Sequence, residues 1–266
     1  MKPALSLIIA VYKHPDFLDK IFASLGNQTF RDFEVIVADD GSGPDVANVI
    51  GDFQKKSGLS VRHAWHEDLG FRKTVIVNAA AAQATAEYLV FIDGDCLLHH
   101  WFLDRHFSHK RPGAVLAGRR VMLGEDITKR ISIADVETKK IEKPSFWWDG
   151  CERGQRKHGL FVPGSFQVEN IFGKRYWIVG SNFSMYKSDF ASINGYDEDI
   201  VGRGAEDINL TERFRLKGVR IMTITREALQ YHCFHHSDPM PHDAEAYKRF
   251  CNPGGYWARN GLKEHE

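Results

Sequence analysis

The chain has 266 residues, 43% of them hydrophobic and 26% charged, with Lys+Arg and Asp+Glu each at 35. That length holds one large or two small domains, and that apolar content builds a sizeable core and excludes disorder as the default. A formal net charge of zero leaves no bulk electrostatic basis for nucleic-acid binding. Leu5 to Val11 reads as a first strand, nearly all apolar, as in a parallel sheet covered on both faces. From Asp16 to Asn27, the spacing of Phe17, Leu18, Ile21, Phe22 and Leu25 predicts a helix with one apolar face. Phe33 to Ala38 reads as a second strand that ends in Asp39-Asp40-Gly41-Ser42. A helix over Asp45 to Ser57, a short strand over Ser60 to Trp65 and an Ala-rich helix over Thr74 to Thr85 follow. Tyr88 to Ile92 is a buried-type strand that stops at Asp93-Gly94-Asp95. This alternation predicts an α/β fold, a central mostly parallel sheet with right-handed crossovers and flanking helices. Beyond residue 112 the pattern loosens. Ala114 to Gly118 and Tyr176 to Gly180 are candidate strands, Phe183 to Ile193 and Glu206 to Lys217 candidate helices, and Val219 to Ile224 and Leu229 to Phe234 late strands.

Cys96, Cys151, Cys233 and Cys251 are scattered, with no Cys-x-x-Cys, which argues against a zinc ribbon and against a disulfide framework. Free thiols in a reducing compartment are the simplest reading. Leu5 to Tyr12 is too short for a signal peptide, and no apolar run reaches the length of a membrane span. The expectation is a cytoplasmic protein, or one peripheral on the inner face of the membrane. The first turn, Ala10-Val11-Tyr12-Lys13, has no glycine, so neither a dinucleotide fingerprint nor a P-loop is present. Any nucleotide site must therefore use side chains at strand ends and a metal.

Asp93-Gly94-Asp95 fits that requirement. A carboxylate pair at the carboxyl edge of a strand lies where open α/β sheets bind ligands. Side chains at i and i+2 share a face, so the two can converge on one hard cation that also takes phosphate oxygens. The competing reading is an ordinary Asp-Gly surface turn.

The ordered pieces Ser6-Leu7-Ile8-Ile9-Ala10-Val11-Tyr12, Gln28-Thr29-Phe30, Phe33 to Ser42, Asp93-Gly94-Asp95, Gly195-Tyr196-Asp197-Glu198 and Gly204-Ala205-Glu206-Asp207 resemble the inverting family 2 glycosyltransferases of GT-A fold. The similarity runs over roughly residues 4 to 236. The segment from Gly180-Ser181-Asn182 through Glu206-Asp207 to Tyr231-His232 is similar to β-1,4-galactosyltransferases and bacterial chondroitin-type polymerases. Gly70-Phe71-Arg72-Lys73 and Tyr231 to His235 are similar to a bacterial surface-polysaccharide branch. The resemblance implies a Rossmann-like nucleotide-sugar fold. It also implies transfer of a hexose or N-acetylhexosamine from a nucleotide-sugar donor, usually UDP-linked, to a hydroxyl of a glycan or lipid-linked glycan acceptor. It divides one domain into a nucleotide-sugar half (1–112), an acceptor and catalytic half (113–238) and a C-terminal tail (239–266).

In the family, the position of Asp40 accepts from the uracil imide, helped by the first strand's end, here Ala10 and Tyr12. Arg72 and Lys73, ahead of the Ala-rich helix, are expected at the diphosphate, and Asn78 matches a polar family position. Asp95 is the expected direct ligand of Mn²⁺ or Mg²⁺, with Asp93 on the ribose or a metal-bound water. His235 matches the spacing of a family metal histidine and His232 competes with it. Three apart on an ideal strand, the two point to opposite faces. A nitrogen ligand favours Mn²⁺. Inversion needs a general base, and the resemblance puts it on Asp207, with Glu206 holding a sugar. The chain departs from the galactosyltransferase pattern at Arg203, where that pattern has Trp, which suits a phosphate or an acidic sugar and withholds galactose as the donor.

Between residues 139 and 175, Lys139, Lys140, Lys143, Arg153, Arg156, Lys157, Lys174 and Arg175 outnumber Glu142, Asp149, Glu152 and Glu169. Phe146, Trp147, Trp148, Phe161, Phe166 and Phe172 are interleaved with them. Three readings stand: an acceptor lid, a patch meeting an anionic membrane, and an insertion whose aromatics are core. Two other function classes compete with transfer. One is a sugar-nucleotide- or carbohydrate-binding protein without turnover, against which the intact Glu206-Asp207 speaks. The other is a metal-dependent hydrolase using His232, His235, His236 and Asp238, which lacks any His-Glu-x-x-His.

Overall fold

The structure, a computed structural model, describes residues 2–172, 177–236 and 244–265. Its strands are β1 (Leu5–Val11), β2 (Phe33–Asp39), β3 (Val61–Trp65), β4 (Tyr88–Asp93), β5 (Cys96–Leu98), β6 (Ala114–Ala117), β7 (Val121–Met122), β8 (Phe183–Tyr186), β9 (Arg220–Thr223) and β10 (Gln230–His232). The helices are α1 (Pro15–Gly26), α2 (Pro44–Ser57), α3 (Lys73–Gln83), α4 (Phe102–Ser108), α5 (Glu125–Arg130), α6 (Ile133–Glu137), α7 (Pro144–Trp147), α8 (Ser165–Phe172), α9 (Lys187–Ala191), α10 (Glu206–Lys217) and α11 (Ala244–Cys251). Seven strands form one sheet in the order β3-β2-β1-β4-β8-β6-β9. All its pairs are parallel except those of β8, which runs antiparallel to β4 and β6. A second sheet, β5-β10-β7, carries His232 at the end of β10.

Alternation along the strands builds two cores, one on each face of the large sheet. Leu5, Leu7, Ile9 and Val11 of β1 pack with Phe17, Leu18, Ile21 and Leu25 of α1. Ile8 points the other way, with Ile36, Leu89 and Phe91, onto Ile76, Val77, Ala80 and Ala81 of α3. Fully burying one such Leu or Ile contributes about 1.5–3 kcal/mol, so β1, covered on both faces, anchors the sheet. The Ala-rich face of α3 lets that helix lie close to the strands.

Two expectations fail after residue 112. Phe183 to Ile193 is not one helix but β8 followed by the short α9. Its first part alternates: Phe183 and Met185 enter the core, while the Ser184 hydroxyl faces the Tyr88 hydroxyl at 2.7 Å. The candidate strand from Tyr176 to Gly180 does not form over 177–180, and Tyr176 itself lies outside the described residues. The backbone donors there are spent on side chains of α10: Ile178 N–H donates to Thr211 Oγ1 at 2.9 Å and Gly180 N–H to Asp207 Oδ2 at 2.8 Å. All four cysteines are free, and among the described residues no helix is long and apolar enough to cross a membrane.

Candidate active site

The carboxyl ends of β2, β1 and β4 lie side by side, because Val11 is in register with Asp39 and Ala10 with Asp93. Adjacent strands are about 4.8 Å apart, so the carboxylates after β2 and β4 are separated by roughly two strand spacings. Gly94 seals this edge: its N–H donates to the Ala10 carbonyl at 2.7 Å, and a Cβ there would lie 2.9 Å from Val11 Cγ2. The glycine thus serves the close approach of two strand ends.

On the β2 side, Asp39 is fully buried and structural. Its Oδ1 accepts from Ser42 N–H at 2.8 Å and its Oδ2 meets His63 Nε2 at 2.8 Å. Asp40, the next residue, is buried as well. Its Oδ1 lies 2.6 Å from His66 Nε2 and its Oδ2 accepts from the Arg72 backbone N–H at 2.9 Å. Burial pushes its carboxyl above the usual range, against those two bonds. Tyr12 is exposed beside it, its hydroxyl 3.1 Å from Asp68 Oδ2. Arg72 thus serves Asp40 through its backbone, a role its side-chain charge did not suggest.

On the β4 side, Asp95 Oδ2 lies 2.9 Å from His235 Nε2 and 3.2 Å from His232 Nε2, and the Cys96 thiol donates to Oδ1 at 3.0 Å. Both imidazoles reach one carboxylate oxygen because β10 ends at His232 and the chain leaves the strand at Cys233. The opposite-face geometry of an ideal strand therefore does not apply. Burial raises the Asp95 carboxyl, but the two imidazoles outweigh it and hold it well below the usual range. The ligand atoms of Asp95, His232 and His235 all lie within 4.8 Å of one another, a carboxylate and two imidazoles suited to a divalent transition ion. His235 Nδ1 faces the His236 carbonyl at 3.1 Å, which directs its Nε2 toward the cluster.

The third group sits at the start of α10. Its first turn carries Glu206, whose Oε2 accepts from Gly204 N–H at 2.6 Å, and Asp207. Asp207 Oδ2 is bound by Gly180 N–H, while Oδ1 is buried with no hydrogen-bond partner. Burial and then the Glu206 charge push the Asp207 carboxyl up to about 7, against the pull of Lys73. Lys73 does not project into open space: its ammonium bonds Asp93 Oδ1. From the same helix, Asn78 clamps the Gly195-Tyr196-Asp197-Glu198 loop, donating to the Tyr196 carbonyl at 2.9 Å and Glu198 Oε1 at 2.8 Å. Arg120, on the loop after β6, enters unannounced by any motif. It donates to Ser181 Oγ at 2.6 Å, and burial works against its charge while Cys96, Asp93, Asp95 and Asp207 favour it. His66 and Arg120 are site residues that motif reading missed, and Gly180 stands in a family-like segment that gave it no role.

The stretch from residue 139 divides. Trp147 and Phe166 are core, each 1% exposed, and Gly159 packs so closely on the Trp147 ring that a Cβ would lie 2.5 Å from it. Trp148 is 37% exposed under the Arg156 guanidinium, and Phe172 is 83% exposed. Lys174 and Arg175 lie outside the described residues, as does Asp238.

The family profile described as glycosyl transferase family 2 matches residues 6–178, and that described as N-terminal domain of galactosyltransferase matches residues 171–237. Validoxylamine A glucosyltransferase of Streptomyces hygroscopicus subsp. jinggangensis is 27% identical over 243 residues, covering 85% of this chain and 54% of that protein. The chain thus spans about half the length of the curated relatives it matches along most of its length. Among solved structures, the mannosyltransferase PcManGT of Pyrobaculum calidifontis, in complex with GDP-Man and Mn²⁺, superposes with a TM-score of 0.58 at 14% identity. It covers 88% of this chain and 57% of that one. S. aureus TarS 1–349 in complex with UDP-GlcNAc gives 0.53 at 20% identity, covering 90% and 60%. These likenesses show a shared GT-A fold, and with the profile match over most of the sheet they establish that the chain belongs to glycosyl transferase family 2.

Proposed function

We propose that the protein is a metal-dependent inverting glycosyltransferase that moves a sugar from a nucleotide-sugar, UDP-linked as in the TarS complex, to a hydroxyl of a glycan or lipid-linked glycan. The observation that carries this reading is Asp207: a buried carboxylate with one oxygen held by Gly180 N–H and the other without a donor, beside the Lys73–Asp93 pair. Asp40, with His66 behind it, and the ends of β1 at Ala10 and Tyr12 line the base and ribose end of the donor. Asp93 faces the ribose side, and Asp95, His232 and His235 hold Mn²⁺ or Mg²⁺, the nitrogen donors favouring Mn²⁺. A divalent ion there supplies Lewis-acid stabilisation of the departing diphosphate.

Asp207 takes the proton of the acceptor hydroxyl while that oxygen bonds the anomeric carbon and the bond from that carbon to the diphosphate oxygen breaks. One displacement inverts the configuration. Glu206, fixed by Gly204 N–H, orients a sugar hydroxyl, and Arg203 stands exposed at the acceptor side. The role in bacterial surface polysaccharide synthesis and the division into a donor half and an acceptor half belong to this proposal. The test is a panel of UDP- and GDP-sugars with Mn²⁺ and glycan acceptors. Nucleoside diphosphate release that depends on the acceptor supports transfer, whereas equal release without it makes the protein a hydrolase. Donor binding with no release under any pairing leaves a binding protein.

A further inference from the structure

Lys73 does something that its charge beside a nucleotide site does not announce. Its side chain is 15% exposed and its ammonium bonds Asp93 Oδ1. The same ammonium also crowds the point above Gly180 that Asp207 occupies: a Cβ on Gly180 would lie 2.6 Å from Asp207 Oδ1 and 3.0 Å from Lys73 Nζ. The Asp207 oxygen that no hydrogen bond satisfies is thus the one that shares this space with the cation.

Among the described residues, other ionisable groups also face Asp207. Glu206 precedes it on α10 and Asp93 comes from β4, both anionic; Tyr196 packs from the loop before α10; Arg120 approaches from the loop after β6. Arg120 donates to Ser181 and Met122 on the wall of the site, and its charge is also felt by Asp207. Lys73 is the cation that shares with Asp207 Oδ1 the space over Gly180. Burial alone would discharge a lysine, yet Asp93, Asp207 and Glu206 outweigh burial and hold it protonated.

We propose that Lys73 is a positioning residue for the activation of the acceptor hydroxyl. Its ammonium, bonded to Asp93 and facing Asp207 Oδ1 across the space over Gly180, favours the ionised form of Asp207 in a site rich in negative charge. The role rests on Asp207 as the base. It differs from a grip on the donor diphosphate, because the cation is already bonded to Asp93, a carboxylate of the protein. Asp93 links the two halves: a donor ribose whose hydroxyls donate to Asp93 leaves more of the ammonium's field to Asp207.

The test reads Asp207 directly, without turnover, by carboxyl-carbon NMR of aspartate-labelled protein, with Asp207→Asn assigning the resonance. Lys73→Met is expected to raise the Asp207 titration midpoint by about one to three pH units, the size of an opposite charge removed at close range. Lys73→Arg, which keeps the charge, is expected to hold it within about half a unit of the parent, well under that range. The acid limb of the transfer rate should move with the NMR midpoint while UDP binding with Mn²⁺ stays unchanged. Lys73→Gln carries the same test should the Met variant not fold, and Lys73→Arg alone still reports whether charge or shape matters. An unmoved midpoint in the neutral variants, or an equal shift in the Met and Arg variants, overturns the proposal. So does a donor affinity that falls tenfold with the midpoint in place, which would return Lys73 to the diphosphate. If Asp207→Asn keeps full turnover, the base reading fails while the titration result still stands.

Discussion

Gly180 and Asp207 form one unit: the glycine N–H donates to Oδ2 at 2.8 Å, and a Cβ on the glycine would stand 2.6 Å from Oδ1. A segment without secondary structure is thereby pinned to the first turn of α10, and the carboxylate is aimed by a backbone donor. Gly180→Ala should displace a flexible side-chain end rather than backbone. We expect a stability loss of about 1–3 kcal/mol, typical of overpacking, and a fall in kcat of at least tenfold with donor affinity kept, since misplacement of the base costs on the order of 10². Calorimetric melting and steady-state kinetics check the two parts. Full activity in the alanine variant would remove Gly180 from the catalytic geometry.

Asp207→Asn preserves shape and deletes the proposed proton acceptor. Turnover should drop by about 10²–10⁴, the usual contribution of a general base, with donor binding intact by calorimetry. Activity within about threefold of the parent, far short of that range, shifts the role to Glu206.

The raised Asp207 carboxyl makes stability and rate run in opposite directions with pH. Between the ordinary aspartate range and about 7, the folded protein holds a proton that the unfolded chain has lost. Its stabilising contribution is complete below that window and declines as pH rises through it. Transfer needs the ionised base and should therefore rise over the same interval. Denaturant midpoints and kcat/KM measured at about pH 5 and pH 8 test both signs, and Asp207→Asn should flatten both slopes.

How much of this was legible in the chain follows from how local each feature is. The strands through Tyr88–Asp93 and the carboxylates after them stand out because a buried parallel strand writes itself as a continuous apolar run. The Glu206–Lys217 helix is legible for the same reason of local pattern. Phe183 to Ile193 misleads because a short alternating strand runs without a break into a short helix, so either period fits part of it. The convergence of His232 and His235 depends on where β10 ends, which spacing alone does not give. The bond from Gly180, the commitment of Lys73 to Asp93, and the arrival of Arg120 and His66 are meetings of distant segments, and no local signal records them.

The metal triad predicts an order of effects. His235 has its Nδ1 fixed by the His236 carbonyl, whereas His232 Nδ1 is buried without a partner. His235→Ala should therefore weaken Mn²⁺ binding more than His232→Ala, and Asp95→Asn should weaken it most, since it removes the shared anionic oxygen. Losses of about 10–100-fold are expected for the histidines, the range seen when the support of a ligand is removed. Isothermal titration of Mn²⁺ against each variant measures this directly. Binding unchanged in all three variants would move the ion elsewhere.

Trp147 and Trp148 are neighbours in sequence with opposite fates. Trp147 is 1% exposed, lies 6.0 Å ring to ring from Tyr231 and fills the space over Gly159. Trp147→Ala should cost about 3–5 kcal/mol, as large-to-small changes in a core do. Trp148 is 37% exposed beneath Arg156, and its removal should cost about 1 kcal/mol or less, the scale of an exposed cation–π contact. The surface reading of this segment therefore rests on Trp148 and on Phe172 at the end of α8, not on the pair of tryptophans. A double variant, Trp148→Ala with Phe172→Ser, should melt close to the parent. It should either raise the KM for a lipid-linked acceptor or reduce sedimentation with anionic vesicles, with UDP affinity untouched. A double variant that keeps both acceptor KM and vesicle binding would show that these exposed rings meet neither acceptor nor membrane.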